Sequence, residues 1–364
     1  MRLLLFLLMT LHVSAAGPLL YIGTYTRTTS RGIYVLRLDP TTGALSPPVL
    51  AATTPNPSFL AFTPDQKFLY AVSESDAMAA VFATDLASGT LRPLQSPQSS
   101  GGVAPCHLVV DPTQRTLLVA NYHTGIVAAI PLHADGTLGP PHAIAHSGHS
   151  VDPVRQTSPH VHSVTLSPDA RFALVCDLGL DRIYTYRLDA ARAQLTPGEP
   201  PFVATAPGAG PRHFVFGADG RHAYALTEMG STVIALAYAP DTGALTPLQT
   251  ISTLPPDFTG ASTGAEIRLH PNGRFLYASN RGHDSLAVFA VDAATGRLTP
   301  VAVTPCGGKN PRNFSLSPDG AWLVCANQNS NSLTVFRVDA ATGRLSATGQ
   351  TAEVPLPVCV LFAR

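Results

Sequence analysis

The sequence predicts an all-β protein, a seven-bladed β-propeller with four-stranded blades. Three observations carry this expectation. One unit recurs along most of the chain, its apolar stretches are short and bounded by turn residues, and the two termini hold complementary parts of one further unit.

The unit reads as an apolar strand, a turn such as SPDG, a second strand such as RFLYASN, a polar loop, a third strand such as SLAVFAVD, a turn such as AATGRL, and a short last strand. Its clearest copies start at Ala265 and Arg312, with others near Pro57, Pro105, His160 and Pro211. Anchored on the first turn, the copies fall at Pro64, Pro112, Pro168, Ala218, Pro271 and Pro318, with spacings of 48, 56, 50, 53 and 47 residues. That gives six complete copies. The seventh is split: YIGTY, GIYVLRLD and PTTGALS supply its second to fourth strands, and VCVLFAR at the C-terminus supplies its first. The turns Asp39 to Gly43 and Asp292 to Gly296 place glycine where a tight connection needs positive φ. Four strands repeated seven times fit a radial ring that leaves only short edges exposed. An open stack or a pair of sandwiches would need no unit shared between the two ends.

The first residues, MRLLLFLLMTLHVSAAG, put Arg2 before an apolar run from Leu3 to Leu11 and finish on small residues, the layout of a secretory signal peptide. We therefore expect a leader over residues 1–16 and one propeller domain over 17–364, exported to the periplasm or secreted. The leader is too short to span a bilayer, so no membrane insertion is expected after its removal. Charged residues make up 13% of the chain and balance to zero, which argues against nucleic acid as a partner. The five cysteines, Cys106, Cys176, Cys306, Cys325 and Cys359, show no Cys-x-x-Cys spacing, and Cys176 and Cys325 fall inside apolar strands as small hydrophobes. No phosphate loop or dinucleotide fingerprint is present.

In a propeller, the start of each first strand and the end of each second strand meet at one mouth of the central channel. Before the first strands stand Cys106-His107, His160-Val161-His162, Arg212-His213, Ala265-Glu266 and Arg312-Asn313. After the second strands stand Glu74, Asn121-Tyr122, Asp177, Glu228, Asn280-Arg281 and Asn327-Gln328. Acids, bases and guanidinium groups at equivalent places predict one polar pocket. Paired charges lining a water-filled channel would give the same composition.

At these residues the chain resembles the lactonase family of seven-bladed propellers, which includes propeller-type 6-phosphogluconolactonases and fungal carboxymuconate lactonizing enzymes. The resemblance covers essentially all of the mature chain. It rests on YIGTYT at Tyr21, PHVHSVTLSPD at Pro159, CDLGLDRIYTYRLD at Cys176, GPRHFVFGADGRHAYALTE at Gly210, and GAEIRLHPNGRFLYASNRGHDSLAVF at Gly264. It implies an active site of one His, two Arg and one Glu, matched here by His162 (or its neighbour His160), Arg212, Arg281 and Glu228. Export bears on the substrate, because the phosphosugar lactone of the pentose phosphate pathway is cytoplasmic.

The resulting expectation is a lactone hydrolase resembling 6-phosphogluconolactonase, opening a sugar lactone, with or without a phosphate, by water attack. His162 or Glu228 would activate the water, and Arg212 and Arg281 would hold the carbonyl oxygen and any anionic group. His160, His107, Asp177, His213, Glu266 and Arg312 complete the expected substrate-binding set. No metal or cofactor is expected. Glu74, Asp177, Glu228 and Glu266 are the carboxylates a divalent cation would use, and the arginines between them oppose it. The expected partner is the small-molecule lactone alone, acting on a monomer. Two other readings use the same residues: a non-catalytic envelope propeller that binds a ligand or protein, and a lactone-forming cycloisomerase acting on a muconate-like diacid.

Overall fold

The computed structural model describes residues 17–364, so the expected leader lies outside the described residues. Seven antiparallel sheets form the blades of a ring. The innermost strands of blades 2 to 7 are Leu60–Phe62, Pro105–Val110, Val161–Leu166, Pro211–Phe216, Thr263–Leu269 and Pro311–Leu316. Blade 1 takes its innermost strand, Pro357–Phe362, from the C-terminus, pairing Leu20 with Phe362 and Ile22 with Val360 on Leu19–Thr24. The split unit is therefore as expected, with one difference. PTTGALS forms a turn closed by an isolated bridge between Leu38 and Leu45 and by the backbone bonds from Asp39 N–H to Ala44 O and from Gly43 N–H to Asp39 O, and the fourth strand of blade 1 is Val49–Thr53. The Asp39 carboxylate draws in the amides of Thr41 and Thr42, so these residues curl into a turn before the strand begins.

Alternation along the strands builds the core. Leu20, Ile22 and Leu36 face blade 7 with Trp322 and Val324, while Leu19, Tyr21, Ile33 and Val35 face blade 2. Both faces of each blade are thus covered, which is why second strands such as Thr116–Asn121 and Phe172–Asp177 are buried throughout. Outer strands such as Leu345–Glu353 carry the exposed polar residues. The turn glycines lock neighbouring blades together. Gly43 has φ +73° and lies against the Trp322 ring, where any Cβ would collide, and Trp322 Nε1 donates to Pro40 O at 3.1 Å.

Six of the seven inner strands share one irregularity that positions the site. In blade 3, Pro105 pairs with Asn121 and His107 with Ala120, leaving Cys106 as an extra residue. The same one-residue bulge isolates His162 in blade 4, Arg212 in blade 5, Arg312 in blade 7 and Val358 in blade 1, and falls at Ala265–Glu266 in blade 6. A bulge of this kind re-aims a side chain away from the regular pleat. Proline opens the bulged strand at Pro105, Pro211, Pro311 and Pro357, a first position where its missing N–H leaves the ladder intact.

Candidate active site

The re-aimed residues converge on the channel mouth. A cavity of about 410 Å³ opens there, walled by Tyr122, Arg155, His162, Glu228, Arg281 and Arg312, with Glu74, Cys106 and Arg27 among the other lining residues. Arg212 forms the floor beneath, beside Cys106, His162 and His213.

Glu228 is the hub. Its Oε2 accepts Arg212 Nε–H at 2.9 Å and lies 2.9 Å from Arg281 Nη2, and its Oε1 accepts Arg155 Nη2–H at 2.6 Å. Burial by itself would raise this carboxyl. Arg281, Arg212 and Arg155 outweigh it and hold Glu228 well below the usual carboxylate range. Glu228 is thus a fixed anion that draws three guanidinium groups to one point. His162 Nε2 lies 3.9 Å from Glu228 Oε2, beyond hydrogen-bonding distance. Burial first, and then the charges of Arg212 and other nearby cations, push His162 well below its ordinary value, so the imidazole is neutral at neutral pH. Cys106 is not an activated nucleophile, because burial and the nearby Glu74 push its thiol up.

One layer deeper, the residues that follow the bulges close the channel. The His107 ring packs on Phe59 at 4.1 Å and edge-on to His213 at 5.3 Å. His213 Nδ1–H donates to Glu266 Oε1 at 3.0 Å, and Asn313 Nδ2–H donates to Glu266 Oε2. His213 Nε2 then accepts Arg212 Nη1–H at 3.1 Å, and Ala265 O takes another bond from the same nitrogen. His107, His213 and Glu266 therefore lie beneath the mouth rather than walling the cavity, and His213, backed by Glu266, holds Arg212 in place.

The remaining expected residues divide as follows. Arg312 walls the cavity, its guanidinium carbon 5.4 Å from the Tyr25 ring centre, while Tyr25 Oη–H donates to Glu74. His160 stacks on Tyr122 at 4.4 Å and its Nδ1–H donates to Tyr122 O at 3.0 Å, so it supports a wall residue from behind. Asp177 is outside the pocket. It is fully buried, 2.6 Å from His146 Nδ1, and accepts the amides of His160 and Leu180. The four carboxylates weighed as cation ligands thus have separate partners. Among the described residues no group of three or more His, Cys, Asp or Glu gathers as metal ligands.

Two features went unseen in the sequence. Arg155 sits in the long connection between blades 3 and 4, and the 56-residue spacing there was the available signal. Gly260-Ala261-Ser262-Thr263-Gly264 has the Gly-x-Ser-x-Gly spacing of a nucleophile elbow. It leads into an inner strand instead of a strand-to-helix turn, and Ser262 Oγ–H donates to Arg281 O at 3.1 Å.

Residues 19–362 match the family described as "Lactonase, 7-bladed beta-propeller". The chain belongs to this lactonase family. Lactone hydrolysis, as a class of reaction, follows from that membership. Among its relatives is the 6-phosphogluconolactonase of Bacillus subtilis, 40% identical over 346 residues, which cover 94% of this chain and 97% of the relative. The 6-phosphogluconolactonase of Formosa agariphila is 30% identical over 306 residues, covering 82% and 86%. In structure, this family member is similar to the periplasmic gluconolactonase of Pseudomonas aeruginosa, with a TM-score of 0.90 and 38% identity over 95% of this chain and 99% of that one. Among the described residues, no helix of this lactonase is long and apolar enough to cross a membrane.

Proposed function

We propose that the protein opens a sugar lactone at the channel mouth, with His162 as general base and Arg212 and Arg281 as the electrophilic pair. The observation that carries this assignment is a neutral, buried imidazole beside a carboxylate already saturated by three arginines. Of the two groups able to accept a proton from water, Glu228 is the weaker base, because protonating it would release all three ion pairs. His162 takes the proton as the water oxygen bonds to the lactone carbonyl carbon. The carbonyl oxygen becomes an oxyanion that Arg212 and Arg281 stabilise. When the acyl C–O bond breaks, the proton on His162 passes to the leaving alkoxide and a hydroxy acid results. Glu228 fixes the two arginines, and the layer formed by His213 and Glu266 fixes Arg212 from below.

Ring opening releases acid, so a panel of sugar lactones with a pH indicator tests the reading. The wild type is expected to turn over at least one of them, and Glu228→Gln, which keeps the shape and removes the charge, to lose about 10²-fold or more in kcat/KM. Full activity in this variant would remove Glu228 from the site.

Export is part of the same proposal. It is supported by the tripartite pattern of residues 1–16 and by similarity to a periplasmic gluconolactonase. Cell fractionation tests it, and recovery of the full-length chain from the cytoplasm alone would overturn it.

A further inference from the structure

The three guanidinium groups on Glu228 are not held alike. Arg212 and Arg281 are each tied to a backbone carbonyl of the blade 6 inner strand, Arg212 to Ala265 O and Arg281 to Gly264 O at 3.0 Å. Both side chains are largely buried. Arg155 reaches in from a connection outside the blades, and its side chain is 41% exposed. A single nitrogen, Nη2, makes both of its guanidinium contacts among the described residues, to Glu228 Oε1 at 2.6 Å and to Tyr122 Oη at 3.3 Å. Its Nε and Nη1 donors are left open.

The backbone that carries Arg155 is fixed. Asp152 Oδ1 accepts the amides of Val154 and Arg155, at 2.9 and 2.7 Å. Fully buried Gln156 donates to Leu178 O at 2.9 Å, and Ser150 Oγ–H donates to Asp181 Oδ2 at 2.6 Å. A pinned loop thus holds an unfilled guanidinium edge at the rim of the cavity. That cavity sets four arginines, Arg27, Arg155, Arg281 and Arg312, against two glutamates, Glu74 and Glu228. Such an imbalance draws in an anion.

We propose that Arg155 selects the substrate class: its open Nε and Nη1 donors bind an anionic group, a phosphate or a carboxylate, that the lactone carries away from its ring carbonyl. This rests on the reading of the mouth as a lactone-opening site. A planar guanidinium with two donors free matches the oxygens of either anion. Arg155 acts on binding, because the groups that meet the carbonyl are the other two arginines.

The test compares wild type and Arg155→Gln on three probes: a neutral sugar lactone, its phosphorylated form, and a sugar lactone bearing a carboxylate. For the anionic lactone that the wild type prefers, the variant is expected to raise KM by about 10- to 100-fold, the loss of one charged hydrogen-bonded contact. Because Arg155 also pairs with Glu228, any change in kcat or in the neutral lactone's KM should be smaller and common to all three probes, so the readout is the ratio of anionic to neutral kcat/KM. Which anionic probe loses more identifies the group recognised. Arg155→Lys, which keeps the charge, should restore part of the preference. Wild-type KM for the anionic lactone should rise with salt, and this rise should flatten in Arg155→Gln. If Arg155→Gln lowers the melting temperature, the folded Arg155→Lys protein carries the comparison, with the ratio of anionic to neutral kcat/KM as the readout. Equal shifts on neutral and anionic lactones, or a salt-insensitive wild-type KM, would overturn the assignment of Arg155. Failure of the wild type to open any lactone would instead overturn the reading beneath it.

Discussion

Glu228 and Asp177 show how much one residue of register matters. Both follow an apolar second strand, and the sequence sets them side by side as channel acids. Strand pairing separates them. Val161 pairs with Asp177 as Pro211 pairs with Thr227, so the equivalents of Asp177 are Thr227, Asn121, Asn280 and Asn327. These side chains are buried and hydrogen-bonded to the loops around them, as in Asn121 with Ser100 and Asn280 with Thr253. The blade 4 equivalent of Glu228 is Leu178, whose amide bonds to His160 O as that of Glu228 bonds to Gly210 O. Residue chemistry was legible in the sequence, and a one-residue offset between repeats was not, because it is set by which backbone groups pair. Asp177→Ala is therefore expected to leave kcat/KM of the folded fraction unchanged. It should destabilise the protein by about 3 kcal/mol or more in urea unfolding, since three buried donors lose their acceptor. Lost activity at unchanged stability would return Asp177 to the site.

At the scale of the strand, the deciding device is the bulge. Seven similar inner strands were readable from their apolar pattern and their turns. The extra residue was not, because period-two alternation breaks over only one position. Its trace in the sequence is a proline followed by two residues that both serve the channel, as in Pro211-Arg212-His213 and Pro311-Arg312-Asn313. The first faces the mouth, as Arg312 does, or its floor, as Arg212 does, and the second joins the buried layer below. That layer ties stability to pH. Burial pushes His213 down to about 4 from 6.5, with Arg212 adding to the effect and Glu266 opposing it. The unfolded chain therefore takes up a proton below about pH 6.5 that the native state refuses, so stability is full above 6.5 and falls toward pH 4. The slope is about 1.4 kcal/mol per pH unit for each such histidine, and His162 and His107, both shifted down by burial, act in the same direction. Glu266, held at about 2 by Arg268 and His213 against its own burial, extends the loss below about pH 4.5. Urea unfolding at several pH values between 7 and 4 should show a shallower slope for His213→Gln than for wild type. An identical slope would mean that His213 titrates normally in the folded protein.

The whole ring places these parts. Its blade count was legible because the termini carry complementary pieces, and the pairing of Pro357–Phe362 with Leu19–Thr24 closes the circle. Closure also reaches the channel, since Val360 N–H donates to Asn313 Oδ1 at 2.8 Å and Asn313 in turn holds Glu266. The mouth draws its groups from at least four blades and one connection: His162 from blade 4, Arg212 and Glu228 from blade 5, Arg281 from blade 6, Arg312 from blade 7, and Arg155 from the segment between blades 3 and 4. Arg155 escaped the sequence reading because it belongs to no repeat position. The most direct measurement is kcat/KM for ring opening of the preferred sugar lactone by wild type and by His162→Ala, with circular dichroism confirming that both are folded. Loss of a general base should lower the variant by about 10²- to 10⁴-fold. A folded His162→Ala protein that opens the lactone as fast as wild type would contradict the mechanism.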